Sequence, residues 1–156
     1  MSTSPKRQLI GDLITAFRAS GSQDSAFENL AAERLGVNHT DLHCLNAIEN
    51  AGGLTAGELA AEVGLTSGAV TGVIDRLERA GFARRVPDPA DRRRVKVEVT
   101  AEFYARAERI WGPLAAEWEA SLANSFTAAE LTRITEFLQL TSAVGKRHLE
   151  RLAKES

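Results

Sequence analysis

The chain has 156 residues, 26% charged and 44% hydrophobic, which suits one folded domain with a substantial core and excludes global disorder and collagen-like or coiled-coil composition. Its net charge of −2 is unevenly spread: residues 84–96 hold six basic side chains against two acidic ones, a local +4, so the rest carries −6. A single cysteine rules out an intramolecular disulfide, no cationic stretch followed by an apolar segment opens the chain, and no long apolar run occurs, so a cytoplasmic protein without a membrane span is expected.

Over residues 7–35 the apolar side chains Leu9, Ile10, Leu13, Ile14 and Phe17, then Phe27, Leu30 and Ala31, share one helical face. Gly21 and Ser22 mark a place where that helix kinks or divides, and Gly36 suits its left-handed terminus. Thr40 is expected to cap a second helix, with Asp41 in its first turn and Leu42, Cys44, Leu45 and Ile48 on its buried face, ended by Gly52 and Gly53. Thr55 and Glu58 then form a capping box that starts a short helix carrying Leu59, Ala60 and Val63 and stopping at Gly64. Either Thr66 or Ser67 caps the next, whose Val70, Val73, Ile74 and Leu77 recur at i, i+3, i+4 and i+7 before Gly81 closes it.

Residues 82–86 and 95–99 are short β-leaning runs, the second alternating Val95, Lys96, Val97, Glu98, Val99, and Pro87, Asp88, Pro89 and Asp91 make their connection a turn. Beyond Thr100 the pattern is helical: Phe103, Ile110, Trp111, Leu114 and Trp118 in one helix, which Pro113 should bend, then Leu131, Ile134, Leu138 and Leu149 in another, opened by a second capping box at Thr127 and Glu130. The expected fold is mainly α (α+β): a winged helix-turn-helix core flanked by long N- and C-terminal helices. Those outer helices are apolar on one stripe and need a surface to bury against, which a dimer supplies while presenting two reading helices to successive turns of DNA.

In the helix pair, Ala60 suits the crossing, Gly64 the turn, and Leu59, Val63, Leu65, Val70 and Val73 the buried slots; an αα-hairpin of an unrelated helical protein is the competing reading. Burial of Val70, Val73, Ile74 and Leu77 puts Gly68, Thr71, Gly72, Asp75 and Arg79 on the opposite face, with Arg76 at its edge. Thr66, Ser67 and Thr71 sit where hydroxyls meet phosphate or base edges, and Gly68 and Gly72 admit close approach of the backbone. Arg76 reads equally as a guanine contact or as a salt bridge to Asp75 or Glu78, or as a clamp to the wing. Asp75 is expected to orient Arg79 at i+4. Arg92, Arg93 and Arg94 concentrate charge at the loop tip but cannot all point one way; one is expected in a minor groove, the others on phosphates or braced by Asp88 or Asp91.

At these residues the chain resembles the MarR (multiple antibiotic resistance regulator) family, whose hallmark is similar to L-x-x-x-G-[LF]-x-x-R followed by D-P-x-D-R-R, here residues 77–85 and 88–93. The resemblance covers nearly the whole chain and implies a homodimeric transcriptional regulator, a repressor by expectation, on a pseudo-palindromic operator in double-stranded DNA. It implies Asp91 as the wing-bracing carboxylate and Arg93 as the minor-groove arginine, with Arg94 departing from the small or apolar residue common at its place. It implies a single domain over residues 1–156, with residues 38–100 as the DNA-binding lobe and residues 5–35 and 101–152 as the dimerisation region.

Family members often release DNA on binding a small phenolic or aromatic acid; Phe17, Arg18, His43 and Trp111 are this chain's candidates for such a cleft, against the plainer reading of aromatics as core. Cys44 is a candidate redox sensor but sits among apolar neighbours, as a structural thiol does. His39 and His43 are four apart, yet His39 precedes the expected cap and no Cys or Glu cluster accompanies them, so no metal is assigned. No cofactor is expected, and the absence of a P-loop, nucleophile elbow or H-E-x-x-H argues against an enzyme. The rival from another class is a winged helix that docks an acidic protein partner.

Overall fold

The computed structural model describes residues 4–155, so residues 1–3 and 156 of the single-domain expectation lie outside the described residues. Helix α1, Pro5–Leu35, starts with proline at its first position, where a missing N–H costs nothing. It runs undivided through Gly21 and Ser22, and Gly36 ends it at φ 74°. The Gly36 and Val37 amides donate to Glu33 and Ala32, both at 3.0 Å, which closes the helix in a Schellman arrangement.

Helix α2, His39–Ala51, is capped by Asn38, whose side chain accepts from the Asp41 amide at 2.8 Å, and not by Thr40 as expected. Asparagine is at least as good a cap as threonine, and moving the cap back two residues brings His39 into the first turn, on one helix with His43. A two-residue strand β1, Leu54–Thr55, follows. Helix α3, Ala56–Val63, begins with the complete Thr55/Glu58 capping box, and α4, Ser67–Arg79, is capped by Thr66. Gly81, at φ 77°, continues from the cap residue Ala80 and turns the chain into strand β2, Ala83–Pro87, which pairs antiparallel with β3, Val95–Val99. β1 pairs with the other edge of β3, so the sheet order is β1-β3-β2. That third strand was missed because two residues show no alternation to read.

The core lies where α2, α3 and α4 meet the sheet. Leu42, Leu45 and Ile48 of α2, Leu59 of α3, and Val70, Ile74 and Leu77 of α4 are fully buried, joined by Phe82, Val97 and Phe103. Phe82 and Phe103 meet edge to face at 6.0 Å between ring centroids, and the Arg106 guanidinium sits 5.3 Å over Phe82. Val63 and Leu65, placed by the sequence in buried slots, are half-buried.

The described chain falls into two compact units, one ending at Ile110 and one beginning at Trp111. Helix α5, Ala101–Ser125, runs on past Pro113, and α6, Ala128–Lys154, opens on the complete Thr127/Glu130 capping box. In the second unit α6 buries no residue, and Trp118, Leu122, Leu138, Leu140 and Leu149 are exposed. No helix among the described residues is long and apolar enough to cross a membrane. The architecture is mainly α with a small antiparallel sheet, a helix-turn-helix followed by a wing.

Candidate nucleic-acid interface

Helices α3 and α4 form the helix-turn-helix. Gly64, at φ 67°, makes its turn, a conformation other residues adopt only under strain. With Val70, Val73, Ile74 and Leu77 facing the core, the outward face of α4 carries Ser67, Gly68, Thr71, Asp75 and Arg79, all exposed, and Gly72, half-buried. A Cβ at Gly68 would meet nothing within 4 Å among the described residues, so no neighbour there explains its small size. The Thr66 hydroxyl accepts from the Ala69 amide at 3.3 Å. The Thr71 hydroxyl donates to the Ser67 carbonyl at 3.0 Å, which leaves its oxygen as an acceptor outward.

The basic residues around this face divide sharply by partner. Arg76 forks onto Asp41 of α2, Nη2 to Oδ1 at 2.6 Å and Nε to Oδ2 at 3.1 Å. Asp41 is only 3% exposed, so the pair bolts α4 to α2; neither Asp75 nor Glu78 is its partner. Arg85 of β2 is claimed by two carboxylates of α4, Asp75 at 2.8 Å and Glu78 closer still. Asp75 therefore does not orient Arg79 through its carboxylate; Arg79 instead donates from Nε to the Asp75 backbone carbonyl at 3.1 Å. The Asp75 carboxylate was drawn across to β2 because Arg85 lies within reach of the same helix face.

The wing is closed by its own acids. Asp88, 3% exposed, accepts from the Ala90 amide at 2.9 Å and faces Lys96 at 3.5 Å, and the amide bond holds its carboxyl below the usual carboxylate range. Asp91 accepts from the Arg93 amide at 3.0 Å. Arg84 pairs with Glu98 at 3.1 Å and Arg94 with Glu58 at 2.5 Å. Glu58 is drawn down to about 2, first by the Thr55 amide, then by the Thr55 hydroxyl and Arg94. Among the described residues, Arg92 and Arg93 alone of the six basic side chains between 84 and 96 have no acidic partner, and both are exposed.

Phe17 and Arg18 are exposed on α1, His43 is exposed on α2, and Trp111 is half-buried at the start of the second unit. Among the clefts of the first unit, Glu49, Glu98 and Tyr104 border one of about 140 Å³, and Arg34, Arg106 and Arg109 one of about 310 Å³. Cys44 is wholly buried and its thiol is pushed up to about 11, chiefly by burial and by Asp41, with Arg76 pulling the other way. That is the setting of a structural thiol, opposite to what a peroxide sensor needs. No group of three or more potential metal ligands occurs among the described residues, His39 and His43 included.

Two residues of this surface were not singled out as arginine partners from sequence: Asp41 for Arg76, and Glu58 for Arg94. They stand 35 and 36 residues from the arginines they hold, and each was already accounted for locally, by the helix dipole and by the capping box.

Comparison with known proteins agrees with this geometry. The family model described as MarR family matches residues 37–95. The uncharacterized HTH-type transcriptional regulator YcgE of Bacillus subtilis is 36% identical over 97% of this chain and 99% of its own length. The multiple antibiotic resistance protein MarR of Salmonella typhimurium is 30% identical over 67% of this chain and 73% of its own. Among solved structures, a mutant of S. aureus MepR bound to an oligodeoxyribonucleotide is similar in fold, with a TM-score of 0.55 at 21% identity, covering 85% of this chain and 96% of that one.

Proposed function

The chain belongs to the MarR family of winged helix-turn-helix transcriptional regulators, and from that premise we propose that it is a repressor acting as a homodimer on a pseudo-palindromic operator in the cytoplasm. The family is one of regulators rather than enzymes. One observation carries the DNA-binding surface: among the described residues every other cation between 84 and 96 is neutralised by a carboxylate, while Arg92 and Arg93 stand exposed and unneutralised in the wing loop. Phosphate binding requires cations free to displace counterions, and minor-groove insertion requires an arginine free to extend.

In this reading Arg93 enters the minor groove and Arg92 holds phosphate, while Thr66, Ser67, Gly68 and Thr71 bring the amino end of α4 against the major groove. Arg76 has one guanidinium edge committed to Asp41, so it meets DNA through Nη1, which lies beside Gly72, or not at all. Homodimer formation is supported by the unpartnered apolar residues of the long helices: Leu9, Ile10, Leu13 and Ile14 on α1, and Leu138 and Leu149 on α6. An aromatic acid is the effector class that the resemblance implies, with Phe17, Arg18, His43 and Trp111 as candidate lining. The direct test is a mobility shift with the DNA upstream of the protein's own gene, with and without a panel of aromatic acids. A discrete complex of two chains per duplex is expected; one chain per duplex, or no discrete complex, contradicts the proposal.

A further inference from the structure

Arg94 is the residue of the wing at which the resemblance implies a small or apolar side chain, and it is the one arginine of the loop between β2 and β3 that has a carboxylate partner among the described residues. Its Nη2 lies 2.5 Å from Oε1 of Glu58, while the other oxygen of that carboxylate accepts from the Thr55 amide at 2.8 Å and the Thr55 hydroxyl at 2.9 Å. A single carboxylate thus joins the capping box of α3 to the root of the wing. The Arg94 backbone is fixed as well: its amide donates to the Asp91 carbonyl at 2.8 Å, and its carbonyl accepts from the Asp88 amide at 2.9 Å. Arg92 and Arg93 have no comparable side-chain anchor among the described residues. We propose that Arg94 is a positioning residue, a strut through Glu58 that sets the wing against the helix-turn-helix, and that it does not contact DNA.

The inference rests on the DNA-binding reading above. A guanidinium already neutralised by a carboxylate has little to offer a phosphate, because taking the phosphate means giving up the pair. Its service is orientation: with Glu58 at the start of α3 and Arg94 where the wing turns back into β3, the pair links two segments 36 residues apart. Arg92 and Arg93 are then carried on a wing whose angle to the helix pair is set in advance, which spares part of the ordering cost on binding.

A double-mutant cycle on affinity for duplex DNA separates strut from contact. The four proteins are wild type, Arg94→Ala, Glu58→Gln and the double variant, titrated by fluorescence anisotropy at several salt concentrations. Glutamine serves at the third position of a capping box, so Glu58→Gln removes the charge and keeps the cap. The strut predicts that Arg94→Ala weakens binding by about 2- to 5-fold, the range of an exposed ion pair, and by clearly less when Glu58 is already glutamine. It also predicts an unchanged slope of log K against log salt. If Arg94 costs as much or more in the glutamine background, or the slope falls by about 0.9 per arginine removed, Arg94 is a phosphate contact and the strut is overturned. Equal affinities for all four proteins overturn it too, whatever happens to their melting points. A wild-type protein that binds no duplex overturns the DNA-binding reading as well, whereas the other contrary results leave that reading standing.

Discussion

Asp41 shows how a single residue can bear on a whole surface. A carboxylate left 3% exposed is costly to bury unless it is paired and hydrogen-bonded, and Arg76 supplies both bonds from a helix that begins 28 positions after the one Asp41 sits on. Asp41→Ala should therefore lower stability by about 1–2 kcal/mol, less than a fully buried pair would lose because the freed Arg76 can turn to solvent. Urea denaturation checks this; an unchanged midpoint would show the pair to be idle. Next to it, Cys44 should react with a thiol reagent only when the protein opens, since burial and Asp41 raise its thiol to about 11. Labelling of the native protein at neutral pH as fast as of the urea-unfolded chain would contradict that. Glu58 has a pH signature of its own. Its carboxyl is held at about 2 when folded against an ordinary 4.5, so its contribution is complete above about 4.5 and is lost as pH falls toward 2. Glu58→Gln should flatten the fall in melting temperature across that acid window while leaving the neutral-pH slope alone. At this scale the sequence was least legible: composition showed the arginines, but the neutralisation of Arg76 and Arg94 depended on Asp41 and Glu58, 35 and 36 residues away.

Elements were read more securely, because their signals are local. The capping boxes at Thr55/Glu58 and Thr127/Glu130 and the heptad-like burial of Val70, Val73, Ile74 and Leu77 each follow from side chains within a turn or two, and the structure has them where expected. The start of α2 was misplaced by two residues because Asn38 and Thr40 are both good caps, and only the tertiary placement of Asp41 decides between them. Strand β1 was invisible because two residues pair with β3 through backbone groups that any sequence supplies. For α4, Ile74→Ala should cost about 2–5 kcal/mol, since the side chain is wholly buried in the core. The loss should appear as a lower urea midpoint with an unaltered slope; a loss below about 0.5 kcal/mol, the usual scale of surface changes, would mean α4 is not seated as described.

For the whole molecule, the charge map is the central result. Residues 84–96 hold a local +4, but ion pairs with Glu98, Asp75, Glu78, Glu58 and Asp88 consume most of it and leave Arg92 and Arg93 as the free cations of that segment among the described residues. Leu9 at 69% and Leu149 at 70% exposure support the proposed homodimer, and under that proposal sedimentation equilibrium should find a dimer that Leu149→Glu weakens. A wild-type monomer at micromolar concentration would remove the dimeric operator from the account. The most direct test of the central claim is the salt dependence of binding to random-sequence duplex DNA, wild type against Arg92→Ala/Arg93→Ala. The account predicts a steep loss of affinity with salt for the wild type, and a slope shallower by about 0.9 for each arginine that leaves the DNA. Absence of wild-type binding at low salt, or an identical slope for the double variant, would contradict it.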